Sequence, residues 1–523
     1  MDIGILTRGI VQPLRGQDAD RPALSLEDER TWTYRQLHEQ SNRYANRLLA
    51  LGALPRDRVA LLLYNSLEYV ALYLAIAKIG CISVRLNFRL SSEELAYALQ
   101  DSGSTILCAH DSLWEGAETI RGNTPLRHHV VFRHAGETAS GSVSGQESIE
   151  ASSPREPEVP LPQLEDAAML MYTSGTTGRP KGALWTHGNT LWIAAMQASL
   201  WRYSPSTVAM TTGPLYHVGG FEDLLLPALF TGGHAVMSKS TGFSVERALR
   251  VIEHHRVTDC FLFPFMIYEA VNLPTLTHHD LSQLKRVFTG GSPILPWAAR
   301  KLRTLLPQVG LSIGYGLTEG GAISTVMEPQ FVEEYPDCVG RPLPMTDVRI
   351  VSEDGSEANP GEDGEIWVRS PSVSRVYWNK PEETAETFVD GFCKTGDVGS
   401  IVGPGLLKIT GRKKDMIKSG GENVYPAEVE AILTDHPAIK DAAVIGVPDA
   451  RFQEAVCAVL TRQPGAEVTE EEVIKYCRQR LAGYKKPKHV VFVDELPRNP
   501  TGKILKYLLR DQYRSLGTET STT

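Results

Sequence analysis

Residues 171–182 read MYTSGTTGRPKG, with three threonines, a serine and three glycines in a run that closes on Pro180, Lys181 and Gly182. Gly175 and Gly178 admit positive φ and close backbone approach, so consecutive N–H groups can point into one concavity. Thr173, Ser174, Thr176 and Thr177 add hydroxyl donors and Lys181 a positive charge, an inventory suited to a polyphosphate. The run is not a P-loop, because Gly178 is followed by Arg-Pro-Lys-Gly and the spacing G-x-x-x-x-G-K-S/T fails. The same composition also fits an exposed turn.

Other stretches carry chemistry-bearing side chains. PLYHVGG (214–220) sets His217 ahead of a Gly-Gly pair, where an imidazole lines a pocket or is simply a satisfied histidine. GYGLTE (314–319) follows the apolar LSI: its glycines bare the Tyr315 ring for stacking on a base, and Thr318 and Glu319 offer oxygens to Mg2+. A tight βα turn with a glutamate at a helix N-terminus reads equally well. KTGD (394–397) places Asp397 after a glycine, able to accept from two ribose hydroxyls or to serve as a turn residue. GRKKDMIKSGGENVYPAEVE (411–430) joins Arg412 to a charged joint and to Gly420-Gly421. PRNPTGKILK (497–506) sets Lys503 in a Pro-Thr-Gly turn, where an isolated lysine is ordinarily just solvated.

These residues need elements to hold them. TWTYRQLHEQSNRYANRLLALG opens on a capping threonine, repeats apolar residues at the helical period and stops at Gly52, which predicts a helix. VALLLYN and CISVRL read as buried strands around the helix EYVALYLAIAKIG, the pattern of a βαβ unit in a parallel sheet. That apolar span, 59–80, carries Asn65, Glu68 and Lys78, and so predicts strand, turn and packed helix in place of a membrane crossing. Residues 134–165, rich in Gly, Ser, Pro and Glu, predict a surface connection. AAMLMYT (167–173) is a strand feeding the first loop, and βα alternation continues through HAVMSK, DCFLFPF, KRVFTGG and LSIGYG. From about residue 340, short strands with Gly-Pro turns predict a small β-rich subdomain. After GRKKDMIKSGG the remaining residues have helices and strands enough for a separate α+β domain.

A length of 523 residues exceeds one domain, and a formal net charge of −9 argues against nucleic acid as the main partner. Seven dispersed cysteines with no C-x-x-C pair read as reduced thiols, not as a disulfide framework or zinc site. The opening MDIGILTRGIVQPLRG lacks the marks of a signal peptide, and a cytoplasmic protein without a transmembrane segment is expected.

Taken in order, the six stretches resemble the motifs of the adenylate-forming superfamily of acyl- and aryl-CoA synthetases, luciferases and peptide-synthetase adenylation domains, over nearly the whole chain. YTSGTTGRPKG resembles its phosphate loop, GYGLTE its adenine and Mg2+ motif, and KTGD its ribose-binding element. GRKKDMIKSGGENVYPAEVE resembles its hinge and NPTGK its catalytic lysine motif. The resemblance implies an α/β fold: a large N-terminal domain of αβαβα subdomains plus a small β-barrel-like subdomain over 1–411, and a smaller mobile α+β domain over 412–523, hinged near Lys414.

It also implies a two-step ligase. A carboxylate attacks the α-phosphate of ATP to give acyl-AMP and pyrophosphate, and the thiol of coenzyme A then takes the acyl group and releases AMP. By the same resemblance Thr173, Ser174, Gly175, Thr176, Thr177 and Gly178 hold the outer phosphates and Glu319 helps bind Mg2+. Gly314, Tyr315, Gly316 and Thr318 pack near the adenine with Gly291, Ser292 and Pro293, while Asp397 and Arg412 take the ribose. Lys503 bridges the carboxylate and α-phosphate; rotation about Lys414 withdraws it and brings Gly420 and Gly421 beside the pantetheine tunnel.

His217 becomes a gate between acid and thiol, and the acyl pocket is expected from His217, Phe221, Phe263, Phe265, Gly290, Gly314 and Ala322. Gly219 stands where amino-acid-activating relatives place an aspartate, so the acid lacks an α-amino group. Glu222 and Asp223 either face away or meet a polar acyl group, and fatty, aryl and polycyclic acids all stay open. Arg478, Arg480, Lys485, Lys486 and Lys488 offer charge to the phosphates of CoA or form a solvated face. The alternatives are a ligase that loads an acyl carrier protein and a non-catalytic nucleotide-binding homologue. The second predicts losses among Lys503, Asp397, Glu319 and the Thr-Ser-Gly-Thr run, and all are present. A monomer and a homodimer both fit.

Overall fold

The βαβ expectation is met at the start of the chain. Strand Arg58–Leu62, helix Leu67–Lys78 and strand Ile82–Arg85 follow one another, and the two strands pair in parallel. Ser66 caps the helix by accepting from the Tyr69 N–H at 3.2 Å, and nearly every residue of the helix is buried, as its uniform apolarity requires. Lys78 ends it in the interior, donating to Asn42 Oδ1 at 2.6 Å and Ser41 Oγ at 2.9 Å, so the buried ammonium is hydrogen-bonded. Among the described residues no helix is long and apolar enough to cross a membrane.

The computed structural model describes residues 19–133, 149, 151–173, 180–419, 422–449, 452–498 and 504–517. Packing divides the chain into two units: Met1–Val348 with Trp367–Thr395, and Arg349–Ile366 with Gly396–Thr523. Most of the Gly/Ser-rich connection, and Ser174, Gly175, Thr176, Thr177, Gly178, Gly420, Gly421 and Lys503, lie outside the described residues.

The first unit holds two large sheets. One runs in the order 376–377, 181–186, 167–173, 82–85, 58–62, 106–110, 128–132; its last five strands are parallel. The other has nine strands in the order 341–342, 325–327, 310–315, 286–290, 259–261, 208–211, 234–237, 22–26, 30–33, with six parallel strands from 310–315 to 22–26. A third, antiparallel sheet comprises strands Asp347–Val351, Gly364–Arg369, Phe388–Val389, Phe392–Val402 and Leu406–Arg412. The second unit adds a sheet built on Ile439–Asp449 and Gln453–Arg462, covered by helices Pro426–Thr434 and Glu470–Arg478.

Two local readings shift. The first helix begins at Tyr34, capped by Thr33 in a capping box with Gln36, because Arg30–Thr33 is a strand paired with Pro22–Leu26. After GYGLTE no helix follows: the chain turns back through 316–324 and enters the antiparallel strand Thr325–Met327, so the reading of a βα turn is set aside. All seven cysteines are buried free thiols, in keeping with the reading of their spacing.

Candidate active site

Parallel strands present all their carboxyl ends at one edge, and loops leaving that edge build sites. Four neighbouring strands of the nine-stranded sheet do so with the residues singled out above. Strand Gly310–Tyr315 ends on Tyr315 and Arg286–Gly290 runs into Gly291, Ser292 and Pro293, which are all exposed. Asp259–Phe261 leads to Phe263 and Phe265, and Val208–Thr211 leads to His217.

The GYGLTE turn is wound tightly. Ser324 N–H donates to Tyr315 O at 2.8 Å and Ala322 N–H to Leu317 O at 3.2 Å, and Ala322 itself sits at φ 70°. A Cβ on Gly316 would collide with the Ala322 carbonyl, so this position admits only glycine. The result is a buried Glu319 whose Oε1 accepts from Thr173 Oγ1 at 2.8 Å and from Tyr377 OH at 2.9 Å. Thr173 is the last residue of strand Ala167–Thr173, directly before the phosphate-loop run. The turn is tied further by Trp185 Nε1 donating to Thr318 O at 2.9 Å and by Ser374 N–H donating to Glu319 O at 3.0 Å.

Among the described residues both hydroxyl donors address Oε1 alone, which leaves Oε2 for a further partner. Burial, together with the Glu319 carboxylate, raises the Tyr377 phenol, so it donates and does not ionise. Lys181 lies over the Tyr377 ring, Nζ at 5.1 Å from its centre. Among the described residues no three His, Cys, Asp or Glu side chains cluster as a metal cage. A single carboxylate next to the strand that enters the Gly/Thr-rich run is nonetheless a donor set that suits Mg2+, which usually keeps few protein ligands.

His217 caps the short helix Val218–Phe221, its Nδ1 accepting from the Gly219 N–H at 3.1 Å. The Gly-Gly pair has a steric reason: a Cβ on Gly220 would strike the Pro214 carbonyl. The imidazole keeps accessible surface in this position. Burial and the Arg85 cation lower its pKa to about 4, which keeps the ring neutral at physiological pH.

Beneath this loop lies a polar cluster that sequence reading missed. Arg85, at the end of strand Ile82–Arg85, is fully buried; its Nη1 meets Glu222 Oε1 at 2.5 Å and its Nη2 donates to the carbonyls of Leu215 and His217. Its Nε donates to Tyr69 OH at 3.2 Å. Burial raises the Glu222 carboxyl and Arg85 draws it back, while Arg85 stays protonated.

Around the expected acyl pocket, Phe263 and Phe265 lie nearly parallel with centres 6.1 Å apart, and Phe261 meets Phe263 edge-on at 4.8 Å. Gly290 pairs with Gly314, but the room this opens is taken: a Cβ on Gly314 would run into the Phe288 ring, which Trp201 backs at 5.2 Å. Phe221 points elsewhere, its buried ring packed against Tyr73 at 5.2 Å and Arg85, so it offers no face to an acyl group. Ala322 is likewise buried in its turn.

In the second unit, Asp397 and Arg412 are paired across neighbouring strands, with Arg412 Nε 2.8 Å from the buried Asp397 Oδ1. Lys414 is exposed in the turn that follows, where Asp415 and Met416 N–H both donate to Arg412 O at 3.0 Å. Partial burial lowers the Lys414 pKa, with Arg412 and Arg510 acting in the same direction. Arg498 and Ile504 form an isolated antiparallel bridge on either side of the segment that carries Lys503. Of the basic run, Lys485 is engaged by Glu428 at 2.7 Å, Lys488 by Asp449 at 2.5 Å, and Arg480 lies over the Tyr476 ring.

With this geometry in view, the chain was compared with known proteins. The family model described as AMP-binding enzyme matches residues 14–378, and that of the AMP-binding enzyme C-terminal domain matches residues 428–503. A feruloyl-CoA synthase of an Amycolatopsis species is 38% identical over 92% of this chain and 94% of its own. A long-chain-fatty-acid–CoA ligase of Mycobacterium tuberculosis is 34% identical over 92% of this chain and 93% of its own. The ATP-bound structure of MatB from Rhodopseudomonas palustris superposes with a TM-score of 0.89 at 31% identity, covering 99% of this chain and 100% of that one.

Proposed function

This chain belongs to the AMP-binding enzyme family, and from that premise we propose that it activates a compact, ring-bearing carboxylic acid as its acyl-adenylate and passes it to coenzyme A. The reaction class is that of an ATP-dependent, AMP-forming acid–thiol ligase. A carboxylate is a poor acyl donor because its leaving group would be oxide. One carboxylate oxygen attacks the α-phosphorus, the bond to the β-phosphate oxygen breaks, and pyrophosphate leaves. The thiol sulfur then attacks the acyl carbon, the acyl–oxygen bond breaks, and AMP leaves as a stable monoester.

Two anions must meet in the first step, so positioning and charge neutralisation carry the catalysis. The observation that supports this reading best is Glu319, held through Oε1 by Thr173 and Tyr377 beside the strand that enters the phosphate loop. In this reading Glu319 would hold Mg2+, which when bound would offset charge on the phosphate oxygens. Thr173 and the run Ser174, Gly175, Thr176, Thr177 and Gly178 hold the outer phosphates. Gly314, Tyr315, Gly316 and Thr318 with Gly291, Ser292 and Pro293 take the adenine; Asp397, its charge partnered by Arg412, takes the ribose.

Lys503 is proposed as the cation that bridges carboxylate and α-phosphate; losing such a donor costs ~10²–10³ in rate. Lys414 is proposed as the hinge between a domain of residues 1–411 and one of 412–523, and Gly420-Gly421 as the edge along which pantetheine enters. The neutral His217 ring suits a gate between acid and thiol. A cytoplasmic location also belongs to this reading.

A ring-bearing acid is favoured over a long chain by two features. The Phe263 and Phe265 rings offer flat apolar faces, and the Gly314 carbonyl beside Gly290 and the Phe288 ring beside Gly314 fill the space that the two glycines would otherwise leave for a chain to extend. The feruloyl-CoA synthase relative points the same way. The acceptor is coenzyme A in preference to an acyl carrier protein on the same likeness, although Lys485 and Lys488 are committed to ion pairs and so contribute little to binding its phosphates.

The test is a panel of benzoates, cinnamates, arylacetates and C6–C16 fatty acids, read both as AMP release and as thioester formation with CoA. Aryl acids should turn over at least tenfold better in kcat/KM than C12–C16 acids. A preference for the long chains would overturn the ring-acid reading, and AMP release with no thioester would shift the acceptor to a carrier protein.

A further inference from the structure

Helix Ser92–Ser102 carries no residue used in the chemistry above, yet its last turns touch both approaches to Glu319. Tyr172 OH donates to Asp101 Oδ2 at 2.7 Å. Trp378 Nε1 and Asn379 Nδ2 donate to the main-chain carbonyl of Asp101 at 3.0 and 3.2 Å. Tyr172 directly precedes Thr173, and Trp378 directly follows Tyr377. Thr173 and Tyr377 are the two residues whose hydroxyls hold Glu319 Oε1, at 2.8 and 2.9 Å. Asp101 is therefore bonded to the immediate neighbour of each donor.

Strand geometry gives this placement its meaning. Successive side chains of a strand point to opposite faces, so in Ala167–Thr173 the Tyr172 phenol turns to the helix while the Thr173 hydroxyl turns to Glu319. Tyr377 and Trp378 divide their partners in the same way, phenol to Glu319 and indole to Asp101. The strands are also tied to each other. Thr173 pairs with Lys181, and the Trp378 N–H donates to Gly182 O at 2.8 Å. Tyr97, one helical turn before Asp101, donates to Pro180 O at 3.1 Å and meets the Tyr172 ring edge-on at 6.3 Å. The anchor itself is fixed at the helix end: Gly103 closes it at φ 65°, and Arg58 donates to Ser102 O at 2.7 Å and to Gly103 O at 3.0 Å. Burial and the Asp101 carboxylate raise the Tyr172 phenol, so it donates without ionising.

We propose that Asp101 is a positioning residue for adenylation, aligning from outside the site the two hydroxyls that hold the Glu319 carboxylate. A hydroxyl orients a carboxylate only while its own backbone stays in place, because hydrogen bonds weaken steeply with angle. Groups that orient a metal-binding carboxylate also set how well it binds the metal. The inference rests on the reading of Glu319 as the carboxylate that serves Mg2+ and ATP. Acyl transfer to the thiol needs neither Mg2+ nor the outer phosphates. A positioning role therefore splits the two half-reactions, whereas a general loss of stability lowers both.

The experiment uses the full chain and the acid that the wild type turns over best, with Asp101→Ala, Asp101→Asn, Tyr172→Phe and the double variant Asp101→Ala/Tyr172→Phe. Two readouts are ATP–pyrophosphate exchange and the conversion of pre-formed acyl-adenylate with CoA in EDTA. The third is calorimetric binding of ATP, with Mg2+ and with EDTA. In Asp101→Ala and Tyr172→Phe, exchange falls about tenfold and the Kd of ATP with Mg2+ rises about as much. Conversion of the adenylate and the Kd in EDTA stay at the wild-type level, which also shows the variants to be folded. The double variant is no worse than either single one, since the two changes remove one bond. Asp101→Asn keeps an acceptor for the Tyr172 hydroxyl and stays near wild type. Equal losses in both half-reactions, unchanged exchange in both single variants, or additive losses in the double variant overturn the inference. Unchanged exchange and unchanged Mg2+-dependent binding in Glu319→Gln would remove the reading of Glu319 itself, and the inference with it.

Discussion

Replacing Arg85 by methionine should be among the most damaging single changes in the first unit. The guanidinium and the Glu222 carboxylate are both fully inaccessible and 2.5 Å apart, with the second guanidinium nitrogen on the carbonyls of Leu215 and His217. Removing one member of such a pair leaves a buried charge without compensation, at a cost of about 3–5 kcal/mol. The double variant Arg85→Met/Glu222→Gln removes that charge as well. It retains the loss of the donors to those two carbonyls and to Tyr69 OH, about 1–3 kcal/mol for each group left unpaired. Because both variants lose the same donors, a double variant more stable than the single one is the signature of the ion pair.

The pH dependence has a definite sign. Without Arg85, the folded-state pKa of Glu222 rises further above its unfolded value of 4.5, because burial is no longer opposed. Stability contributed by a raised carboxyl is present below the unfolded pKa and lost as pH climbs toward the folded one. The single variant should therefore be closer to wild type at pH 5 than at pH 8, while the double variant shows no such trend. Thermal unfolding of the three proteins at both pH values measures this. Equal, pH-independent losses in the single and double variants would refute the reasoning. A second readout follows from the carbonyl bonds: the acid's KM should rise more than ATP's, because the loosened segment carries His217.

Other outcomes follow from single contacts. Tyr377→Phe removes one of the two donors to Glu319 Oε1 and should lower kcat about tenfold with the acid's KM unchanged, measured by adenylation kinetics over a Mg2+ titration. Asp223→Asn should become progressively more stable than wild type as pH rises from 4 to 8, since Asp223 must hold its proton against a rising cost; a pH-independent difference in Tm would show an ordinary carboxylate. Lys414→Pro should block thioester formation and spare adenylation, seen by ATP–pyrophosphate exchange beside CoA consumption; equal loss of both would reject the hinge.

How much of this was legible in the sequence depended on the range of the interactions. Glycine-rich turns and hydroxyl runs are local signals: Gly316 and Gly220 are where they are because the neighbouring carbonyls of Ala322 and Pro214 leave no space for a Cβ. The βα alternation likewise foretold the strand ends that carry Tyr315 and lead into Gly291. Arg85 could not be read, because its partner Glu222 lies 137 positions away and nothing near either residue marks the pair. Tyr377 is 58 positions from Glu319 and sits in a stretch that otherwise looks like an ordinary strand and turn. Gly290 and Gly314 were expected in the acyl pocket; only the packing shows that the Gly314 carbonyl and the Phe288 ring take the space beside them. The alternative of a helix start at GYGLTE is not met for a different reason: Ser324 and Tyr315 close a return turn, which shares its local residues with a helix start.

The central claim is that a carboxylate oxygen attacks the α-phosphorus of ATP. An aryl acid labelled with 18O in both carboxyl oxygens, turned over with ATP and CoA, tests it directly, with mass spectrometry of the products. Adenylation predicts one 18O in AMP, one retained in the thioester carbonyl and none in pyrophosphate. Label in inorganic phosphate together with ADP would mean an acyl phosphate, and unlabelled AMP would mean hydrolysis uncoupled from the acid; either result contradicts the account.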